Sequence, residues 1–455
     1  MQWRQQMEAI RNALPGQLGV VFADQVEPEK IFGEEGSRDR IYTAAVTFWA
    51  MLGQVLRGGA LRDGVAEVRA SHRGSDSTLP SAKTGSYSDA RARLPLEAIT
   101  QVHERVLAKM IAPSTLLEGR RILAVDATSV QLADTSANQA SFPQPSNQAQ
   151  GCGFPVMQVV ALFDLDTSAM VKLAHSPLRV DEAGLFQVEL MNRLKENDIL
   201  LGDRYYGTYY HIAKLQAQSA DGLFRLHGSR HWPKGTKGDD VIVQWSRPPF
   251  GRMPEHISRE DWESLPESLT VRYVRFRVSV PGYRTGEVKL ATTLLTLPAT
   301  TLARLYHARW NIELGFDDFK TTLGMDFVDA KSPRMAWKMV MMFLIVHNLL
   351  RTLILHAAHL PGAPPARQLS FKGTLDVIQR FAPEMAAAGK TRARQLHARM
   401  LETIATDALP QRPQRIEPRV RKRRPKGFPL MTRTRDFLRD EIRLRFSQRP
   451  LSNLA

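Results

Sequence analysis

The sequence predicts an α/β fold: a mixed α/β core carrying an all-β insert, with a helical amino-terminal domain and a helical, basic carboxy-terminal region. Three observations carry that reading. Short apolar runs at residues 122–125 and 199–201 have the length and texture of strands buried on both faces. Stretches that alternate or are rich in β-branched residues, at 241–245, 269–280 and 287–295, are separated by Pro- and Gly-rich turns. Apolar residues at three-and-four spacing recur on either side of these segments, as expected of amphipathic helices.

Taken in order, residues 1–118 read as a helical domain, with helical periods over 40–56, 61–70 and 96–111 around a Ser-, Gly- and Lys-rich loop at 71–88. Residues 119–330 form the α/β unit. Its first strand, at 122–125, is followed by a hairpin over 156–165 and 170–177, a helix over 181–194, the strand 199–201, a helix over 209–218 and a strand over 222–227. The all-β insert falls at about 228–298, and a long amphipathic helix over 300–323 follows it. Residues 331–410 are helical, beginning with a largely apolar helix over 336–358, and residues 411–455 form a basic arm.

Composition narrows the function classes. The single cysteine, Cys152, excludes an intramolecular disulfide, and no Cys/His cluster has zinc-site spacing. No signal peptide is evident, and the most apolar run, 339–346, is too short to span a bilayer, so a cytoplasmic, nucleoid-associated location without membrane contact is expected. The formal net charge of +16 points to a polyanion as partner. Most of that excess lies in residues 411–450, where fourteen Lys and Arg face four Asp and Glu. Five prolines, Pro410, Pro413, Pro418, Pro425 and Pro429, keep the first half of this arm extended, which suits it to tracking phosphates.

Two aspartates stand where a strand should be apolar: Asp126 interrupts one run and Asp203 ends the other. A carboxylate at a core edge needs a cation or good donors to offset its desolvation. On the 300–323 helix, about 100° per residue places Tyr306, Arg309, Glu313 and Lys320 on one polar stripe beside the apolar face of Leu305, Ile312, Phe316, Phe319 and Leu323. The same count puts Arg304, His307, Asn311, Asp318 and Thr322 on the exposed side. One carboxylate on each of two strands and a third on a packed helix is the ribonuclease-H-like arrangement. It suits two-metal phosphoryl transfer, with Mg²⁺ held by oxygen ligands and cationic or hydroxyl groups holding the phosphates.

The spacing Tyr306-x2-Arg309-x3-Glu313-x6-Lys320 resembles, at every interval, the signature of DDE insertion-sequence transposases of the IS-four type. The strand around Asp126, the Gly202-Asp203-Arg204-Tyr205 segment and residues 85–95 resemble the same family, so the likeness covers roughly 35–440. The resemblance implies a transposase that cuts at the inverted-repeat ends of its element and joins them to target DNA. Asp126, Asp203 and Glu313 would be catalytic and hold two Mg²⁺ ions, for which Mn²⁺ can substitute. Tyr306, Arg309 and Lys320 would bind the DNA phosphates, and a homodimer would hold the double-stranded ends. Two rival readings are a nuclease of the same fold without strand transfer and a non-catalytic DNA-binding derivative. Where a relative carries a base-stacking Trp in the insert, this chain has Leu290, which puts a hairpin intermediate in question.

Other polar residues receive plainer readings. Asp164 and Asp166 read as turn residues, and Asp134 and Glu182 as surface or cap groups that could instead lie just behind the acids. Asp317 and Asp318 face away from the apolar side. His347 and Asn348 read as satisfied core polar groups, and Trp232 and Trp245 as packing residues.

Overall fold

A computed structural model describes residues 18–19, 21–22, 24–26, 28–32, 41–70, 80–110, 116–117, 119–236, 238–252, 257–278, 286–410 and 429–447. The half of the basic arm expected to be extended lies outside these residues. Its second half holds a helix, Arg435–Ser447, exposed along most of its length.

Nine strands make one sheet. In chain order they are β1 (Ile122–Leu132), β2 (Val156–Asp164), β3 (Met170–Pro177), β4 (Ile199–Gly202), β5 (Asp221–Arg225), β6 (Asp240–Ser246), β7 (Ser268–Val278), β8 (Gly286–Thr292) and β9 (Phe327–Val328). The spatial order is β3-β2-β1-β4-β5-β8-β7-β6, with β9 beside β1. β1 runs antiparallel to β2 and parallel to β4, and β4 runs parallel to β5. The three strands expected between 228 and 298 continue this same sheet through β8, and a five-residue helix, Arg259–Glu263, lies between the first two.

Strand alternation divides the interior into two cores. Ile122, Ala124 and Val130 of β1 enter a core shared with the amino-terminal helices and the long apolar helix, whereas Leu123 and Val125 enter a second core under Phe186, Tyr206 and Ile212. Four amino-terminal helices, α1 (Ala44–Arg57), α2 (Leu61–Ala70), α3 (Gly85–Arg93) and α4 (Leu96–Lys109), cover the first face. Helix Pro333–Ala358 begins with Ser332 as N-cap and Pro333 in its first turn, and is buried around nearly its whole circumference. It is the one described helix long and apolar enough to cross a membrane, and it lies inside the protein. Asn348 stitches it to the sheet by accepting from the N–H and donating to the C=O of Met170, both at 3.0 Å, while His347 Nδ1 donates to Asn348 Oδ1 at 3.2 Å.

The helix expected over 300–323 is not continuous. It consists of α5 (Ala299–Ala308), α6 (Trp310–Asp317) and a π-helical turn, Asp318–Thr322. The π turn spoils a fixed 100° count, and Asp318 is accordingly not on the exposed side: it pairs with Arg351 of the apolar helix, with side chains 17% and 10% exposed. Helix α6 reaches the sheet through Gly315, where a Cβ would meet Phe163 Cε2 at 2.9 Å and Met170 Cε at 3.0 Å.

Two outcomes follow from this packing. Gly315→Ala pushes α6 off the sheet and lowers unfolding free energy by about 1–3 kcal/mol in urea titration, the usual range for overpacking. Arg351→Met strands a buried carboxylate and costs about 3–5 kcal/mol, whereas Arg351→Met with Asp318→Leu recovers most of the loss. Equal stability of the single and double variants would contradict the buried pairing.

Candidate active site

The site forms where β1 loses one neighbour. The parallel pairing of β1 with β4 ends at Ala124 opposite Leu201, and with β9 it resumes at Gln131. Asp126 lies two residues past the last pair on β1 and Asp203 just past the end of β4, and the two come close enough for the charge of Asp203 to act on Asp126. β4 is short, and Gly202 leaves no room for a side chain: a Cβ there would meet Tyr206 Cβ at 2.9 Å. Asp203 opens the turn that follows, its Oδ1 accepting from the Tyr205 N–H at 2.8 Å.

Arg309 ties the strand to the helix. Its Nη1 donates to Asp126 Oδ2 at 2.8 Å and its Nη2 to Glu313 Oε1 at 3.2 Å. The residue is 8% exposed and packs its guanidinium 5.8 Å from the Tyr306 ring centroid. Burial works against its charge, but Tyr306, Asp126 and Glu313 together outweigh burial and hold it above its usual range. The Tyr306 hydroxyl is raised, first by burial. Lys320, on the π turn, reaches Thr128 Oγ1 at 3.4 Å, two residues along the same face of β1 from Asp126.

Of the six residues singled out in the sequence, Asp126, Tyr306, Arg309 and Glu313 are joined by direct contacts, Asp203 lies within electrostatic range of Asp126, and Lys320 stands one strand step away. The role of Arg309 as an internal fork was not legible from the spacing, which reads equally well as a phosphate contact. Glu182, at the start of helix Glu182–Glu189 after its Asp181 cap, comes into the electrostatic range of both aspartates. The sequence leaves it between a cap or surface group and one just behind the acids, because nothing in it fixes how the chain returns after β3. Asp134 accepts from Gln139 Nε2 at 2.9 Å and Asp164 Oδ1 closes a turn on the N–H groups of Asp166 and Thr167, both away from the site. Leu290 is fully buried between β5 and β7, and Trp245 packs inside the sheet with its Nε1 on Tyr273.

The donor set suits a hard divalent cation. Asp126, Asp203 and Glu313 offer carboxylate oxygens, and their accumulated charge is visible in their neighbours. Burial raises the Asp126 carboxyl, Arg309 and the Ala127 N–H oppose that, and Asp203 pushes it further up. Glu182 is pushed up to about 7, first by burial and then by Asp203, Asp126 and Asp181. Among the described residues, no group of three or more His, Cys, Asp or Glu is drawn together to hold a metal ion, and Arg309 stands between Asp126 and Glu313.

The raised Glu182 has a consequence for stability. Its folded value lies above the unfolded one near 4.5, so the folded state binds the extra proton, and stability is lost as pH rises from about 4.5 to about 7. Glu182→Gln therefore melts at the same temperature as the parent below pH 4.5 and above it at pH 8, measured in EDTA. A pH-independent difference between the two would remove the electrostatic link to the aspartates.

Residues 117–349, which contain Asp126, Asp203 and Glu313, match the family model described as a transposase DDE domain. The chain is similar to the transposase InsG of insertion sequence element IS4 from Escherichia coli strain K12, with 26% identity over 93% of this chain and 95% of the relative. Among solved structures it is similar to a piggyBac transposase synaptic complex with hairpin DNA, at 10% identity and a TM-score of 0.46, covering 87% of this chain and 83% of that one. A family match across half the chain settles the matter: this chain belongs to the transposase DDE-domain family and is a DNA transposase.

Proposed function

We propose that the chain cuts at the inverted-repeat ends of its element and joins them to target DNA, using Asp126, Asp203 and Glu313 as its catalytic carboxylates. The observation that carries this reading is the Arg309 fork, which holds a strand acid and a helix acid together beside a second strand acid. The sheet order β3-β2-β1-β4-β5, with the first three strands antiparallel and the last two parallel to β1, supports a ribonuclease-H-like core with the strands of 228–298 as its insert. The carboxylates would hold two Mg²⁺ ions, or Mn²⁺ in their place. Ions so held activate the attacking oxygen and stabilise the leaving one.

The chain's own residues do the positioning. Asp126 is fixed by three features: its strand, the Ala127 N–H on Oδ1 at 2.9 Å, and Arg309 on Oδ2. Glu313 is 43% exposed at its side chain and so faces incoming DNA, as do Tyr205 and Trp310 on either side of the acids. Lys320 and Tyr306 supply a cation and a hydroxyl for the phosphates, and Arg309 limits the repulsion that a DNA strand would meet from the carboxylates. A homodimer would bring two ends together. The amino-terminal helices and the basic arm would add sequence-independent attachment, and the bacterial nucleoid is the expected setting.

The test is incubation of the purified chain with Mg²⁺, labelled element ends and a target plasmid. Cleaved and joined products are expected, and cleavage without joining would support the nuclease reading instead. Asp126→Ala, Asp203→Ala and Glu313→Ala each lower cleavage by about a thousandfold or more, while end binding in EDTA stays within about twofold. Unchanged excision by Asp203→Ala would remove it from the catalytic set.

A further inference from the structure

Arg91 is a buried cation that the catalytic site does not use. It sits in the last turn of α3 at 5% exposure, its guanidinium 5.6 Å from the Tyr87 ring centroid. One Nη donates to the sulfur of Met339, a weak acceptor, and Nε has no hydrogen-bond partner among the described residues. The nearest carboxylate influence is Asp329, which acts through space, and no ion pair joins the two. A second cation lies behind it: Lys338 is 1% exposed and donates to the main-chain oxygens of Arg91 and Ala92. Two buried cations without an ion-paired carboxylate are costly unless an anion reaches them.

A path for one exists. Arg91 lines a cavity of about 290 Å³ walled by Gln54, Gly58, Gly59, Phe327 and Asp329. Gln54 gives its carbonyl oxygen to the Tyr87 hydroxyl at 3.2 Å, so its amide N–H₂ remains as a further donor. Gly58 is in the left-handed region at φ 62°, and a Cβ there would meet nothing within 4 Å, so the wall at that point is open backbone. Strand β9, which contributes Phe327 and Val328, pairs with Gln131 and Leu132 of β1, five and six residues beyond Asp126. At about 3.3 Å per residue that is roughly 20 Å, or about six base steps along one DNA strand.

We propose that this cavity is a phosphate subsite, in which Arg91 and Gln54 bind one backbone phosphate of the transposon end about six base steps from the bond that is cut. The distance rests on the reading of Asp126 as catalytic; the subsite itself does not. Its function is to register the DNA on the amino-terminal helices relative to the sheet, since phosphate contacts fix position and carry no sequence information.

End binding is measured against salt in EDTA, where cleavage does not enter, for the parent, Arg91→Met and Arg91→Lys. Arg91→Met is expected to lose about tenfold in affinity at 0.1 M salt and to flatten the log–log salt slope by about 0.9. Arg91→Lys keeps the slope, and Asp203→Ala is read separately in Mg²⁺ for cleavage. In melting experiments inorganic phosphate raises the transition of the parent and not of Arg91→Met, while in phosphate-free buffer Arg91→Met melts at or above the parent. Unchanged affinity and slope in Arg91→Met, or an equal phosphate response in both, overturns the subsite. If Arg91→Met does not fold, Gln54→Leu takes its place, expected to weaken binding about threefold and to blunt the phosphate response; parent-like behaviour overturns the proposal. An active Asp203→Ala, by contrast, sinks the catalytic assignment and leaves the subsite standing.

Discussion

A single guanidinium holds the candidate site in shape. Arg309 gives one nitrogen to Asp126 on the sheet and another to Glu313 one helical turn away, so the sheet and helix α6 are registered to each other at the point where carboxylates gather. Carboxylates packed this closely repel one another, and burial adds to the penalty. Arg309 is itself buried and would be costly if unpaired, so each charge makes the other tolerable. The pair with Glu313 alone would be an ordinary i,i+4 contact worth a few tenths of a kcal/mol. The bond to Asp126 changes its significance, because it closes a loop of 183 residues.

The rest of the fold places that fork. β1 is long enough to be paired by β4 at its start and β9 at its end, leaving between them a stretch bordered on one side by β2 alone among the strands. Asp126 lies in that stretch, and α6 packs against the sheet beside it through Gly315, which sits on Phe163 of β2 and Met170 of β3. Behind α6, the buried Asp318–Arg351 pair anchors the π turn that carries Lys320 to Thr128. Asp318 is pushed up to about 6, first by burial with Arg351 opposing, so its charged form is the costly one and stability at this anchor falls as pH rises from about 3.8 to about 6.

Much of this was legible in the residues. The buried strands around Asp126 and Asp203 announce themselves as apolar runs broken by one acid, and the 306–320 spacing selects four residues that do converge on β1. The apolar helix before Ala358 was also evident, since no polar face interrupts it. What the sequence concealed has a common physical cause. A fixed helical angle cannot anticipate a π turn, so Asp318 was assigned to solvent when it is paired inside. Periodicity identifies strands but not their neighbours, so the continuation of the core sheet through β8 and β7 to β6 could not be read from alternation. The approach of Glu182 to the aspartates depends on the turn after β3, and the inward role of Arg309 on a partner 183 positions upstream. Neither leaves a local trace.

The wide spacing of the fork has a consequence for synthesis. At about 5–20 residues per second, translation from Asp126 to Arg309 takes roughly 10–40 s, and the strands of the insert are made in between. Throughout that interval Asp126 has no guanidinium, and the first face of β1 has no α6 to cover it. A nascent chain halted between Asp203 and Arg309 therefore carries two of the acids but neither Arg309 nor Glu313. The fork between sheet and helix thus forms only when the α/β unit is nearly complete.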